Sequence, residues 1–216
     1  MEVKLRSLFY SLCLLFVGHL AAQPLSGTYT VGSGGTYATL TAAVADLTSK
    51  GVSNPVIFKL KTGTFTEQVT ISAITGASTT NIITFEAESG NPQDVVLTFA
   101  PTSTNNYVIR FDNAGFVTLR NFRIEPTGTN YSRAIYAINN LNNLTFEGLR
   151  ITLPATPTPI TEDRGAIIAR PSLSTNIRFI NNTITGGSHG IVHIGNNANR
   201  SAGTVITGNT ITNVYA

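Results

Sequence analysis

A nine-residue β-forming pattern occurs four times in the second half of this 216-residue chain, at steps of 27, 33 and 27 residues. Its ninth position is always isoleucine: Ile124, Ile151, Ile184 and Ile211. Its fourth position is always large and apolar: Leu119, Phe146, Phe179 and Ile206. A repeat of this length cannot bury its apolar face alone, whereas stacked repeats bury it together and align like residues in columns. The period therefore predicts an all-β chain wound into a parallel β-helix, a solenoid.

The first half of the chain follows the same period. A segment that begins at Val56 lies 27 residues before a similar segment that begins at Ile83. Because side chains alternate between the two faces of a strand, this alignment places Lys59 beside Glu86 on the outer surface. Opposite charges on neighbouring strands favour this register by about 0.2–1 kcal/mol. Further strands are predicted to start near Val108, Ile135, Ile167 and Ile191, which makes about six coils in all.

One α-helix is predicted ahead of the coils, from Thr39 to Gly51. Its apolar residues recur at helical spacing: Leu40, Ala43, Val44 and Leu47. Such a helix would cover the open end of the solenoid, where an unpaired strand edge otherwise invites association. We therefore divide the mature chain into a lead-in with a capping helix, residues 23–52, and a parallel β-helix, residues 53–216. Because no capping segment follows the last repeat, we expect the β-helix to continue beyond Ala216.

Residues 1–22 have the features of a secretory signal peptide. Lys4 and Arg6 precede an apolar stretch from Leu8 to Leu20, and Ala21-Ala22 offers small residues for cleavage. The stretch is too short to span a bilayer comfortably, and no later segment of the sequence is long and apolar enough. The sequence thus predicts a secreted or cell-surface protein without a transmembrane segment.

The charge balance of the chain is mild. Its 14 basic and 11 acidic residues give a formal net charge of +3, and removal of residues 1–22 leaves a net charge of about +2. An excess this small does not favour nucleic acid or an anionic membrane as a partner. Nothing in the composition indicates an oligomeric state.

A glycine-rich segment, the predicted helix and a strand lead to the turn GTFTEQVTI, residues 63–71. This stretch, from Thr30 to Ile71, resembles the N-terminal part of pectin-lyase-like right-handed β-helix proteins. Pectin methylesterases have the same order of elements and a G-T-[YF]-x-E-x-V-x-I turn, which is matched by Gly63, Thr64, Phe65, Glu67, Val69 and Ile71. The same stretch of this chain is also similar to the start of surface and exported β-helix proteins of gliding, polysaccharide-using bacteria. The resemblance implies a right-handed solenoid, in agreement with the rule for parallel crossovers, and a polysaccharide partner.

The resemblance does not extend to the catalytic residues of that superfamily. Its esterases use two aspartates, an arginine and glutamines in later coils, whereas the comparable strand here reads AIYAINN, residues 134–140, with no acid. Residues 187–190, GSHG, are similar to one polygalacturonase motif, but the pair of carboxylates that inverting hydrolysis requires is missing. Two hypotheses follow: a module that binds or scaffolds polysaccharide, and a polysaccharide lyase, hydrolase or esterase whose active site is incomplete in this segment. Neither assigns a catalytic residue, a cofactor or a metal ligand.

Six residues are candidates for contact with a polysaccharide: Arg123, Arg150, Glu162, Asp163, Arg164 and His189. Arg123 and Arg150 share one outward column. An acidic sugar chain would relieve the repulsion between these two cations, and so would the nearby Glu125 and Glu147 in water.

The other candidates lie in less regular segments. Glu162, Asp163 and Arg164 belong to the longest insertion, residues 153–165, which is either a loop that binds sugar or a cation or a solvated loop. His189 and His193 are about 13 Å apart along one strand, too far to share a metal ion.

Asparagines recur at the predicted corners: Asn113, Asn140, Asn181, Asn182 and Asn209. They are interpreted either as ladders whose amides bond between coils or as turn residues that tolerate left-handed backbone angles.

Overall fold

The structure is a computed structural model that describes residues 23–155, 160–195 and 201–215. Within them the chain forms one α-helix, α1 (Leu40–Lys50), and seventeen β-strands. The strands pair in parallel and stack into three faces that run along the solenoid. From β4 onward, each coil contributes a strand to face 1, then to face 2, then to face 3.

Face 1 contains β4 (Val69–Ser72), β7 (Ile109–Asp112), the first part of β10 (Ile135–Glu147), β12 (Gly165–Thr175) and β15 (His189–His193). Face 2 contains β1 (Leu25–Val31), β2 (Val52–Leu60), β5 (Ile83–Ala87), β8 (Gly115–Arg120), the second part of β10, β13 (Arg178–Ile180) and β16 (Val205–Thr207). Face 3 contains β3 (Gly63–Thr66), β6 (Val95–Phe99), β9 (Arg123–Pro126), β11 (Arg150–Thr152), β14 (Thr183–Thr185) and β17 (Thr210–Thr212). A short 3-10 helix, Glu162–Arg164, precedes β12.

The predicted columns stand in register. The isoleucine column pairs strand to strand on face 3, through Ile124, Ile151, Ile184 and Ile211. The second column pairs on face 2, through Leu119, Phe146, Phe179 and Ile206. All members are buried except Ile206 and Ile211, on which no described coil stacks. The prediction of a parallel β-helix of about six coils with one N-terminal α-helix is therefore confirmed.

The predicted capping helix forms between the expected boundaries. The Oγ1 of Thr39 accepts a hydrogen bond from the backbone N–H of Ala42 at 3.1 Å, and the helix ends at Gly51 in a left-handed conformation with φ of 68°. The apolar side of α1 is buried against the start of the solenoid. The lead-in before it is itself a strand of the solenoid, because β1 pairs with β2.

Glu67, the glutamate of the GTFTEQVTI turn, binds the N-terminus of α1. The Glu67 carboxylate accepts the backbone N–H groups of Leu40 and Thr41, at 2.9 and 2.7 Å. These are orphan donors in the first turn of α1, where a negative charge is stabilised by the helix dipole. The motif therefore joins the helix to the first coil.

The corner between faces 2 and 3 is a two-residue turn in the later coils. Its first residue has a left-handed φ between 53° and 65° and is asparagine or glycine in each case: Asn121, Gly148, Asn181 and Gly208. Its second residue forms a ladder in the last two coils, where the Nδ2 of Asn182 donates to the Oδ1 of Asn209 at 2.9 Å. The ladder interpretation is thus confirmed for Asn182 and Asn209, whereas Asn113 and Asn181 are left-handed turn residues.

The predicted contact of Lys59 with Glu86 is part of a larger ion-pair group. Glu86 is 8% exposed and forms ion pairs with both Lys59 and Arg120; the Nε of Arg120 lies 2.8 Å from its Oε2. Burial alone would raise the pKa of the Glu86 carboxyl, but the hydrogen bonds from the two cations outweigh it and hold that pKa below its usual range.

Replacement of Glu86 by glutamine (Glu86→Gln) is expected to lower the free energy of unfolding by about 1–2 kcal/mol at pH 7, because two cations lose their partner. A carboxyl whose pKa is lowered in the folded state stabilises the fold above its unfolded pKa, and that stability disappears as the pH falls through the folded pKa. Urea denaturation should therefore show a gap between wild type and variant at neutral pH that closes in acid. The exposed Glu88→Gln serves as the control. A gap of equal size at both pH values would contradict the assignment.

Three sequence predictions concern segments that the structure does not reach. The signal peptide, residues 1–22, lies outside the described residues, as do residues 156–159 of the long insertion. The continuation of the β-helix beyond Ala216 stays a prediction. Across the described part of the chain, no helix has the length and hydropathy needed to cross a membrane.

Candidate functional site

The outer side of face 1 carries two columns of mostly polar side chains. They arise from strand alternation, since the residues between them, such as Ile109 and Phe111, point into the core. One column runs through Thr70, Arg110, Tyr136 and Ile168. The next runs through Ser72, Asp112, Ile138 and Arg170. Because the coils are held by backbone ladders, these side chains stand on a rigid support.

Loops that lead from face 3 into face 1 bring further polar groups to one edge of this surface. Arg133 donates from Nη2 to the Oδ1 of Asp163 at 2.8 Å, and from Nε to the backbone carbonyl of Glu162 at 3.0 Å. The Nδ2 of Asn106 donates to the same Asp163 oxygen at 3.1 Å, and its Oδ1 accepts from the backbone N–H of Arg133 at 3.1 Å. Three successive coils are thereby joined by one hydrogen-bonded group.

Tyr136 lies at the centre of this arrangement. The guanidinium carbon of Arg133 is 4.6 Å from the centroid of its ring, a cation–π contact. Its neighbours in the strand register are Arg110 and Ile168. The Tyr136 hydroxyl makes no hydrogen bond to any described residue, so it can donate to or accept from a ligand.

The charges of this surface balance. Each of three arginines is paired with a carboxylate: Arg110 with Asp112, Arg133 with Asp163, and Arg170 with Glu162. We call these six residues and Tyr136 the face-1 surface. Hydrogen bonds from Arg170 lower the pKa of the Glu162 carboxyl and outweigh the opposing effect of burial. Glu162 is therefore an anion at neutral pH, which suits it to accept hydrogen bonds and not to donate a catalytic proton.

The candidates of the 153–165 insertion have different positions. Glu162 and Asp163 belong to the face-1 surface. Arg164 is 6% exposed and donates from Nη2 to the Oδ1 of Asn130 at 3.1 Å, so it supports the loop from inside and does not face a ligand. His189 is half-buried and close enough to Glu162 to contribute to the lowered pKa of that carboxyl. Its Nδ1 is buried and has no hydrogen-bond partner among the described residues.

The two arginines of the outward column lie elsewhere. Arg123 and Arg150 are paired on face 3, as predicted. Arg123 forms an ion pair with Glu125, with an Nη2–Oε1 distance of 2.6 Å, and its Nη1 lies 3.3 Å from the Oε1 of Gln93. The Arg150 side chain is exposed and makes no hydrogen bond or ion pair to a described residue. The structure thus separates these arginines from the face-1 surface.

Sequence reasoning missed five members of the face-1 surface: Arg110, Asp112, Arg133, Tyr136 and Arg170. All but Arg133 have a readable position, because each alternates with buried apolar residues in a strand. In the segment AIYAINN, for example, the outward Tyr136 lies between the buried Ile135 and Ala137. Arg133 had no such pattern, because it lies in a loop.

No group of three or more His, Cys, Asp or Glu side chains within residues 23–155, 160–195 and 201–215 is arranged to hold a metal ion.

Comparison with known proteins identifies the fold. No model of a known protein family matches this sequence, and no curated protein matches it. The pectin methylesterase from Aspergillus niger, in deglycosylated form, is similar in structure, with a TM-score of 0.50 over 86% of this chain and 70% of that chain at 14% identity. The same enzyme in a penultimately deglycosylated form gives a TM-score of 0.49 over 87% and 70%, at 15% identity. At this identity the likeness extends to the fold alone, which is a right-handed parallel β-helix.

Proposed function

We propose that this protein is an exported β-helix module that binds a polysaccharide across the face-1 surface. The proposal rests on one observation above all. Tyr136, Arg133 and Arg170 are held on a rigid support with hydrogen-bonding groups still free. Preorganised groups of this kind lose little entropy when a ligand arrives.

The free groups suit a sugar chain. Arg133 and Arg170 each use Nε and Nη2 within the surface, which leaves their Nη1 groups without a partner among the described residues. Guanidinium N–H groups donate to hydroxyl and carboxylate oxygens, and the exposed part of the tyrosine offers an apolar area with a polar tip. A polysaccharide presents the complementary hydroxyls, acids and ring faces.

The pairing of the carboxylates favours binding over hydrolysis. A glycosidase needs one carboxylic acid that is protonated and one free carboxylate on opposite sides of the scissile bond. On the face-1 surface every carboxylate is matched by an arginine, and the pKa of Glu162 is lowered. The face-1 surface therefore does not offer the free pair of carboxylates that a glycosidase uses. The features of residues 1–22 support export to the cell surface or the medium.

Removal of the central aromatic residue tests the proposal. Tyr136→Ala is expected to weaken polysaccharide binding by about tenfold, since a ring and a free hydroxyl are lost together. Isothermal titration calorimetry with hexagalacturonate and with neutral cello-, xylo- and mannohexaose measures the change. Before the titrations, an array of plant and microbial polysaccharides shows which polysaccharides the wild type retains, and the oligosaccharides that match them are titrated.

Arg123→Gln on face 3 is the matched control and should bind as the wild type does. Loss of binding in Arg123→Gln with full binding in Tyr136→Ala would move the site to face 3. An array that retains no polysaccharide would overturn the proposal. Release of reducing or unsaturated sugars by the full-length protein would favour the enzyme hypothesis in its place.

A further inference from the structure

Phe116, on the outer side of the solenoid, has a backbone conformation that is unfavourable for its side chain. Phe116 has a φ of 60°, in the left-handed region that bulky side chains avoid. Its equivalents on the following coils are Asn143, Asn176 and Gly203, with φ of 48°, 55° and 68°. Asparagine and glycine adopt this conformation readily. A phenylalanine in the same column is strained, and residues in strained conformations concentrate at functional sites.

Phe116 borders a groove at the corner between faces 1 and 2. This corner groove has a volume of about 400 Å³, within the range of small-molecule sites. Its apolar lining includes Phe116 and the exposed Leu173, and its polar lining includes Asn113, Asn140 and Asn142. No charged residue lines it.

Amide groups in the corner groove are free to bind. The side-chain amide of Asn140 is exposed and makes no hydrogen bond to a described residue. The Oδ1 of Asn142 accepts from Thr175 and Asn143, which leaves its Nδ2 without a partner among the described residues. An aromatic ring beside free amides, without charge, matches a sugar ring that has an apolar face, a hydroxylated edge and no carboxylate.

The corner groove adjoins the face-1 surface. The Nδ2 of Asn113 donates to the Oδ1 of Asp112 at 3.1 Å, and Asn140 follows Tyr136 by four residues on β10, just past the left-handed Asn139. We propose that the corner groove is a subsite for an uncharged sugar residue, with the ring of Phe116 as its stacking platform. This inference rests on the proposed function, because it extends the same polysaccharide from the face-1 surface around the corner.

The alternative is that Phe116 has a structural role and binds no ligand. In that case its ring would only cover the apolar corner, and its backbone strain would be offset by packing. The two explanations differ in what Phe116→Asn does. A sugar platform predicts loss of binding without loss of stability, because asparagine relieves the left-handed strain. If Phe116 is only an apolar cover, Phe116→Asn should lose stability and keep its affinity for sugar.

The experiment compares Phe116→Asn, Phe116→Leu and Tyr136→Ala with the wild type. Neutral cello-, xylo- and mannohexaose and acidic hexagalacturonate are the probes, titrated by calorimetry, and the melting temperature is followed by circular dichroism. Phe116→Asn should bind the best neutral hexaose about tenfold more weakly, with an unchanged or higher melting temperature. Phe116→Leu should lose the same affinity, because it keeps an apolar side chain but has no flat ring.

Each contrary outcome has a separate meaning. Full binding in Phe116→Asn together with loss in Tyr136→Ala overturns the subsite and leaves the proposed function intact. The same holds if Phe116→Leu binds as well as the wild type, if Phe116→Asn melts at a lower temperature, or if the wild type binds hexagalacturonate alone. Absence of binding by the wild type to every probe overturns both proposals.

Discussion

Phe146→Ala is expected to lower the free energy of unfolding by about 3–5 kcal/mol. Phe146 is 1% exposed and lies between Leu119 and Phe179 in the face-2 column. Its ring centroid is 5.5 Å from those of both Phe111 and Phe179. Truncation would leave a cavity that cannot collapse, because the distance between coils is set by the backbone ladders and not by the side chains.

Ile82→Ala supplies the matched control for this prediction. Ile82 directly precedes β5 of face 2 but is 42% exposed, so its truncation should cost less than about 1 kcal/mol. Urea denaturation followed by circular dichroism measures both variants. Equal losses in the two variants would mean that the column is not the source of stability, and the stacked-core account would fail.

Asn182→Ala is expected to cost about 2–4 kcal/mol, a large effect for a polar residue at a corner. Asn182 is 1% exposed. Its Oδ1 accepts from the backbone N–H of Leu149 at 3.0 Å, and its Nδ2 donates to the backbone carbonyl of Phe146 at 2.9 Å. Alanine would remove both contacts and leave the buried backbone N–H of Leu149 without a partner among the described residues, while the Phe146 carbonyl would lose one of its hydrogen bonds.

The neighbouring rung of the ladder is the control. Asn209 donates from Nδ2 to the backbone carbonyl of Phe179 at 2.8 Å, but it is only half-buried, so water can replace its bonds more readily than those of Asn182. Asn209→Ala should therefore cost less than about 1 kcal/mol. Thermal and urea unfolding of both variants test the difference. If Asn182→Ala were as mild as Asn209→Ala, the amide would be an ordinary turn residue.

The balance of charge on the face-1 surface explains why function is hard to read from composition. Three arginines and three carboxylates neutralise one another locally, so the surface leaves no mark on the net charge. The individual groups still direct their remaining donors and acceptors outward. A ligand would be recognised by hydrogen-bond geometry and by the tyrosine ring, with little long-range attraction.

The position of the face-1 surface could be anticipated only in part. The sequence indicates Glu162, Asp163 and His189 as charged or titratable residues beside the predicted coils. Arg110 and Tyr136 could have been found from their outward position in a strand. The contact between Asn106 and Asp163 could not, because 57 residues and two coils separate them and the second of these steps contains the insertion that breaks the period. Burial of a charged loop residue could not be predicted either: the sequence suggested that Arg164 contacts a ligand, but the structure buries it.

Periodic information determined the coils from sequence alone. The isoleucine column, the pairing of Lys59 with Glu86 and the boundaries of the helix all follow from local alternation and from repetition at fixed steps, because each coil contacts only its neighbours. The tertiary structure alone decided which loop side chains meet, which arginine is buried, and that Phe116 adopts a left-handed conformation. Loops differ in length and sequence from coil to coil, so their side chains find partners only after the coils have stacked.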